Sequence, residues 1–224
     1  MNILAIDTAT EVLSCALRTS QGQWYIEADA GLRHSELLMG LCGTILDMAG
    51  IERKQLELVA CMEGPGSFTG LRIGFAAAKG IAAALDIPFI AVPTLDCMAY
   101  PYRIWPGYVL PLIDAKKQSF FTALYQNGNI IYNYTDSGLE DILAFLPHNK
   151  PILVTGPGAE LFLSRTQGAG SSLNLIKDPQ NKAGKARELL EKAENWYIIN
   201  KRGNDLDSGP LYLRKSDAEI LSGN

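Results

Sequence analysis

The spacing of hydrophobic and polar positions changes several times along the first half of the chain. Alternation of the two types predicts strands, because successive side chains of a strand face opposite sides. Apolar residues three and four positions apart predict helices, and Gly50 is placed to end the first of them. The pattern predicts, in order, strands at 2–7, 12–18 and 24–28, a helix at 35–49, a strand at 57–62, a helix at about 69–85, a strand at 88–92 and a short helix at about 95–102.

The second half repeats this order of elements. Asn127-Gly128 is a strong signal for a hairpin turn between two of its strands. The predicted elements are strands at 108–114, 119–126 and 129–134, a helix at 139–146, a strand at 151–155, a helix at 159–166, a strand at 173–176 and a helix at 182–196. Both halves therefore have the order βββαβαβα, which indicates an internal duplication.

This duplicated order predicts an α/β protein with two ribonuclease H-like lobes, as in actin, Hsp70 and the sugar kinases. We expect lobes at 1–104 and 105–224, with the C-terminal segment able to pack back on the first lobe. Proteins of that architecture hold a nucleotide in a cleft between the lobes. Asp7-Thr8 and Asp114 follow or end the first strand of each half, so we expect them to face such a cleft.

Composition narrows the possible functions. The 224 residues are 47% hydrophobic and 20% charged, with a net charge of −4, which suits a soluble globular protein and argues against a large nucleic-acid-binding face. No targeting segment is apparent, and we expect a cytoplasmic protein. The two histidines, His34 and His148, are isolated. Single cysteines in mostly apolar surroundings are expected to be reduced core thiols, and they are Cys15, Cys42, Cys61 and Cys97.

A glycine-rich stretch, EGPGSFTGLRIG at 63–74, joins a predicted strand to a predicted helix. Backbone N–H groups at such a helix start favour an anion, and a tight structural turn is the alternative. The stretch lacks the lysine of a Walker A loop and the third glycine of a dinucleotide fingerprint. A cleft remnant of a nucleotide site would comprise Asp7, Thr8, Gly64, Gly66, Ser67, Thr69 and Asp114.

Small residues form stripes on the two long helices of the first half. Gly70, Gly74 and Ala78 lie on one side of the second helix, and Ala76, Gly80 and Ala84 lie on another. Glycine inside a helix costs about 1 kcal/mol relative to alanine, so a close approach is expected to require it. We predict a helix-to-helix surface for another subunit, with tight packing inside the domain as the alternative. Only one of the two stripes can face the partner, so the stripe with Gly80 and Ala84 is the alternative to the stripe with Gly74 and Ala78. The predicted partner-binding residues are Glu36, Gly40, Gly43, Thr44, Asp47, Gly70, Gly74 and Ala78.

Five motifs together resemble one known family. ILAIDTAT, RHSELL, GPGSFTGLRIG, LIDAKK and PLYLR occur in the order found in the TsaB (YeaZ) family, across essentially the whole chain. The resemblance implies a non-catalytic, cytoplasmic subunit in the synthesis of N6-threonylcarbamoyladenosine (t6A) on tRNA. In that scheme the partner TsaD transfers the threonylcarbamoyl group, the ATPase TsaE completes the assembly, and tRNA is met only through the complex. A homodimer is expected when the chain is alone.

The resemblance also implies that the chain holds neither a cofactor nor a catalytic metal. Thr94 and Met98 stand where the catalytic paralogue TsaD has its two metal-binding histidines. An active ATPase or kinase-like enzyme that uses Asp7, Asp114 and the loop at 64–70 is the alternative function. A protease has no support, because neither a metal pair nor a catalytic triad can be drawn.

Overall fold

The computed structural model describes residues 1–167 and 173–214. The strands within them are β1 (Ile3–Asp7), β2 (Val12–Thr19), β3 (Gly22–Asp29), β4 (Leu58–Gly64), β5 (Phe89–Pro93), β6 (Tyr108–Asp114), β7 (Ser119–Gln126), β8 (Asn129–Gly138), β9 (Ile152–Thr155) and β10 (Leu175–Lys177). The α-helices are α1 (His34–Ala49), α2 (Phe68–Leu85), α3 (Thr94–Ala99), α4 (Leu139–Phe145), α5 (Ala159–Thr166) and α6 (Ala186–Asn200). Short 3-10 helices lie at Arg53–Gln55 and Tyr100–Tyr102.

The chain divides into two compact units, and each contains one five-stranded sheet. Among the described residues, the first unit comprises Met1–Cys97 and Gly184–Leu211, and the second comprises those of 98–183 and 212–214. The strand orders are β3-β2-β1-β4-β5 and β8-β7-β6-β9-β10. In both sheets the first strand of the half pairs antiparallel with the second and parallel with the fourth. The duplicated ribonuclease H-like arrangement predicted from the order of elements is therefore confirmed.

Helices cover the first sheet on both faces. Leu4 and Ile6 point to the face where α1 and α2 build the core with Ile45 and Phe75. Side chains alternate along β1, so its remaining residues face the other side, where α6 contacts β1, β2, β4 and β5. The sequence placed this last helix in the second half of the repeat, but it packs on the first sheet. It also begins four residues later than predicted, at Ala186 instead of 182.

Local sequence signals set the ends of the two long helices. Gly50 ends α1 in the left-handed conformation, with φ 64°, as its position predicted. The Ser67 hydroxyl accepts the Gly70 N–H and caps the start of α2. Among the described helices, α2 is the one whose length and apolar composition would allow it to cross a membrane, a test that packed core helices also meet.

The second unit has its own core between its sheet and α4 and α5. Phe120 and Phe162 meet there edge to face, with ring centroids 5.6 Å apart. Asn127 and Gly128 both have positive φ, as the predicted hairpin turn requires. Strand β8 continues to Gly138, beyond the predicted end at 134, because its polar second half pairs with β7 from Ser119 to Thr122.

Candidate functional site

Asp7 lies at the end of β1, and its side chain is only 2% exposed. One carboxylate oxygen accepts the N–H of Ala9 at 3.0 Å, and the other accepts the N–H of Lys185 at 2.8 Å. Burial raises the pKa of Asp7, and the two N–H donors partly offset this effect. Backbone N–H groups of the chain thus donate hydrogen bonds to both oxygens of the carboxylate.

A short segment before α6 brings these backbone groups to the sheet. Besides Lys185, the N–H of Gly184 donates to a Glu27 carboxylate oxygen at 3.1 Å, and the N–H of Ala186 donates to the Ser14 hydroxyl at 3.2 Å. A Cβ on Gly184 would lie 2.5 Å from the Ser14 hydroxyl oxygen, so only glycine allows this approach. Because residues 184 and 185 are bound here, α6 begins after them.

The glycine-rich loop packs against the turn that follows β1. The Ser67 N–H donates to the Ala9 carbonyl at 2.8 Å, and the Thr8 hydroxyl donates to the Gly70 carbonyl at 2.7 Å. A Cβ on Gly66 would lie 2.6 Å from the same Ala9 carbonyl oxygen. The glycines therefore allow two stretches of backbone to touch, which favours the structural alternative for this loop. Thr69 is exposed at the start of α2.

The end of the first unit also reaches this loop. The Leu211 N–H donates to the Glu63 carbonyl at 2.7 Å, and a Cβ on Gly64 would lie 2.6 Å from the Leu211 carbonyl oxygen. Earlier in the same C-terminal segment, Asn204 covers the edge strand β5, since its side-chain oxygen accepts the Ala91 N–H at 3.0 Å. Sequence reasoning allowed the C-terminal segment to pack back on the first lobe, but it identified neither of these contacts. PLYLR was noted only as a family motif, and no local pattern marks residues 184 or 204.

Asp114 has a different environment in the second unit. Lys116 donates to it twice, from its N–H at 2.8 Å and from its ammonium group at 3.0 Å. Partial burial raises the pKa of Asp114, but the Lys116 hydrogen bonds and charge outweigh burial, so that its pKa lies below the ordinary value. The expectation that Asp114 and Asp7 face one nucleotide cleft stays a prediction.

The two stripes of small residues on α2 have different environments in the structure. Gly70, Gly74 and Ala78 are buried, and a Cβ on Gly70 or Gly74 would collide with Thr8. Their burial favours the alternative, tight packing inside the domain, because Gly70 and Gly74 let α2 approach the turn after β1. That these three residues bind a partner stays a prediction. The opposite side of the helix, with Ala76, Gly80 and Ala84, is exposed.

The predicted residues on α1 lie on its outer side. Glu36, Gly40, Thr44 and Asp47 are exposed, and Gly43 is partly exposed. Met39 and Met48, which the sequence reasoning did not single out, are each 58% exposed. Helices α1 and α2 contact each other. We call the outer α1–α2 surface the exposed set Met39, Gly40, Thr44 and Met48 with Ala76, Gly80 and Ala84.

The residues at the expected metal positions are buried. Thr94 is 1% exposed and its hydroxyl has no hydrogen-bond partner, while Met98 is 2% exposed. Over residues 1–167 and 173–214, no group of three His, Cys, Asp or Glu side chains could hold a metal ion. The acidic side chains nearby are Glu63 and Asp96. Burial and then the Asp96 charge raise the pKa of Glu63.

Comparison with known proteins decides the family. A family model described as "TsaD: tRNA N6-adenosine threonylcarbamoyltransferase" matches residues 28–142. The "tRNA threonylcarbamoyladenosine biosynthesis protein TsaB" of Bacillus subtilis is 33% identical over 98% of this chain and 96% of its own length. The chain belongs to the TsaB family. TsaB of Haemophilus influenzae is 27% identical over 96% of this chain and 94% of its own length.

Sequence similarity to TsaD itself covers less than half of this chain, and solved structures of other proteins have a similar fold. The tRNA N6-adenosine threonylcarbamoyltransferase of Thermus thermophilus is 37% identical over 98 residues, which is 43% of this chain and 30% of that protein. YeaZ from Pseudomonas aeruginosa has a TM-score of 0.77 at 24% identity, covering 95% of this chain and 99% of that one. The (R)-2-hydroxyglutaryl-CoA dehydratase component A of Acidaminococcus fermentans has a TM-score of 0.53 at 12% identity, covering 88% and 99%.

Proposed function

We propose that this chain acts in the biosynthesis of threonylcarbamoyladenosine on tRNA as a non-catalytic subunit that binds and activates a TsaD-type transferase. Membership of the TsaB family supports the pathway, since relatives across the full length carry that name. The observation that carries the binding role is the outer α1–α2 surface. Two exposed methionines of α1 lie there together with small exposed residues of α1 and of the adjacent α2, which suits the close approach of partner helices.

The absence of catalysis in the chain itself is the second part of the proposal. A metal ion would meet an Asp7 carboxylate that is buried and already accepts the N–H groups of Ala9 and Lys185, and a phosphate would find those two N–H groups engaged. The Ser67 hydroxyl and N–H are likewise engaged by Gly70 and Ala9. On this view the glycine-rich loop is a remnant of a nucleotide site that now holds the first unit together.

The remaining partners follow from the same proposal. The complex would recruit the ATPase TsaE, and tRNA would be bound by the assembly and not by this chain alone. The net charge of −4 supports that division of roles. We place the assembly in the cytoplasm, where tRNA is modified, and we propose a homodimer through the outer α1–α2 surface when TsaD is absent.

Co-purification tests the binding role. A tagged chain with Gly80→Trp should retain its fold, because a Cβ on Gly80 meets nothing within 4 Å. The indole should hold the partner helix away, so that affinity for TsaD falls at least about tenfold, or ~1.4 kcal/mol. Formation of t6A in a reconstituted reaction should fall with it. Ala144→Trp is the matched control, since Ala144 is an exposed alanine on helix α4 of the second unit.

Two outcomes would contradict the proposal. If Gly80→Trp bound TsaD and supported t6A formation as well as the Ala144→Trp control did, the outer α1–α2 surface would not be the binding site. ATP turnover by the purified chain alone, lost on Asp7→Asn, would instead establish an active ATPase. The two measurements address different halves of the proposal and are independent of each other.

A further inference from the structure

Two of the four cysteines lie against each other in the core of the first unit. The Sγ atoms of Cys15 in β2 and Cys42 in α1 are 3.9 Å apart. The exposed fraction is 0% for Cys15 and 3% for Cys42. Both are free thiols, as are Cys61 and Cys97. The sequence shows no sign of this pairing, because the two residues are single cysteines in different elements.

The arrangement follows from how β2 and α1 pack. Leu13, Cys15 and Leu17 alternate along β2 and point to the face covered by α1. Cys42 lies one turn after Leu38 on the inner side of the helix. Since an S–S bond measures about 2.05 Å, the two sulfur atoms must approach by roughly 2 Å to join, a movement within the range of side-chain rotation and a small shift of α1.

We propose that Cys15 and Cys42 form a redox pair, which a hydroperoxide converts into a disulfide that ties α1 to β2. The assignment rests on the geometry of the two thiols and does not depend on the proposed role in t6A synthesis. It adds an oxidation site within the first unit, beneath the helix that carries half of the outer α1–α2 surface.

The chemistry requires no group other than the two thiols and the peroxide. The hydrogen bond from the Cys15 thiol lowers the pKa of Cys42 against the opposing effect of burial, so Cys42 is the thiol that ionises first. Its thiolate attacks one peroxide oxygen, the O–O bond breaks, and water leaves once the second oxygen is protonated. The Cys15 sulfur then attacks the Cys42 sulfenic acid, the S–O bond breaks and a second water leaves. Two thiols and one hydrogen peroxide give one disulfide and two waters.

Access to the buried pair is provided by the sequence of α1. Gly40 and Gly43 flank Cys42, and each glycine weakens the helix by about 1 kcal/mol relative to alanine. Helix α1 is therefore expected to open locally more often than the strands beneath it, which exposes Cys42 to a small oxidant. Once formed, the disulfide removes that opening, because it fixes the middle of α1 to the sheet.

Peptide mapping of the native chain tests the proposal. The protein is treated with hydrogen peroxide, denatured in urea with an alkylating reagent, and digested with trypsin without reductant. We expect two of the four thiols to be lost and tryptic peptides 1–18 and 34–53 to be joined, with a mass two hydrogens below their sum. Dithiothreitol should restore all four thiols. The melting temperature should be higher in the oxidised form, and amide exchange in α1 should be slower.

Matched variants separate this pair from general oxidation. Cys61→Ala should still form the 1–18 to 34–53 link, whereas Cys42→Ser should not. The mapping of the unaltered chain decides the matter even if a variant folds poorly. Four intact thiols after peroxide treatment, a link that joins other peptides, or Cys42 oxidised to sulfinic acid beside an intact Cys15 would each overturn the proposal.

Discussion

Three carboxyl groups of the first unit have a pKa above the ordinary value, in each case mainly because they are buried. They are Asp7, Glu63 and Glu188. Two backbone N–H donors partly compensate the burial of the Asp7 carboxylate, whereas one carboxylate oxygen of Glu188 has no hydrogen-bond partner. A raised pKa in an acidic cluster is often a sign of catalysis. Here Asp7 holds α6 to the sheet, so its environment has a structural cause.

The pKa of Glu188 predicts how stability changes with pH. A carboxyl with a higher pKa in the folded chain binds more protons there, so the free energy of unfolding falls as pH rises from about 4 through the folded pKa. Glu188→Gln removes this loss. We expect its urea midpoint to exceed that of the parent at about pH 8 and the difference to shrink toward about pH 5.

Glu140→Gln serves as the control for this prediction. Glu140 lies in the first turn of α4, as Glu188 lies in the first turn of α6, but its side chain is exposed. Both variants lose a favourable interaction with a helix N-terminus, and only Glu188→Gln also removes a partly buried carboxyl. Glu140→Gln should therefore show no gain in urea midpoint at about pH 8. An advantage of Glu188→Gln that grew on acidification would contradict the prediction, since it would require a lowered pKa for Glu188.

At the scale of an element, helix α2 has small residues on two sides, one buried and one exposed. Its inner glycines touch the turn after β1, and its outer small residues face outward. Both stripes have helical spacing, so periodicity alone did not distinguish them. The spacing did predict the helix itself, with a start at about 69, one residue after Phe68, its first residue in the structure.

Two alanine substitutions on α2 should therefore act in opposite directions. Gly74→Ala places a Cβ against the Thr8 hydroxyl and should destabilise the fold by about 1–3 kcal/mol. Gly80→Ala adds a methyl group to open space and should stabilise it by up to about 1 kcal/mol, through helix propensity. Thermal and urea unfolding of both variants measure the difference. Equal effects would show that the inner stripe is not in close contact.

At the scale of the whole molecule, the outer α1–α2 surface is expected to be shared by two assemblies. We predict that the isolated chain self-associates through it, because exposed methionines and alanines are then removed from water. Added TsaD should dissolve the homodimer, since both assemblies need the same helices. Light scattering after size-exclusion chromatography measures each species, with Gly80→Trp expected to weaken both and Ala144→Trp neither.

One result cannot be reconciled with that competition. A ternary species in which TsaD binds an intact homodimer through α1 and α2 would show that the two assemblies use separate surfaces. If the isolated chain were monomeric at all concentrations, the predicted homodimer would be wrong. The predicted binding of TsaD would then be tested by co-purification alone.

The sequence by itself determined the order of strands and helices, the hairpin at Asn127-Gly128 and the duplicated fold class. These features arise from alternation, helical spacing and turn residues, which act over a few positions and can be recognised locally. The family motifs likewise identified the TsaB family without coordinates. Boundaries were less certain, as the longer β8 shows, because pairing with β7 extends its polar end.

Only the tertiary structure decided which side of α2 faces the sheet, where α6 packs and which groups donate hydrogen bonds to the Asp7 carboxylate. Each depends on residues far apart in the chain: Thr8 against Gly74, and Asp7 against Lys185. Cys15 and Cys42 became a pair for the same reason. Such contacts are set by the mutual fit of packed elements, and their partners leave no periodic signal in the sequence.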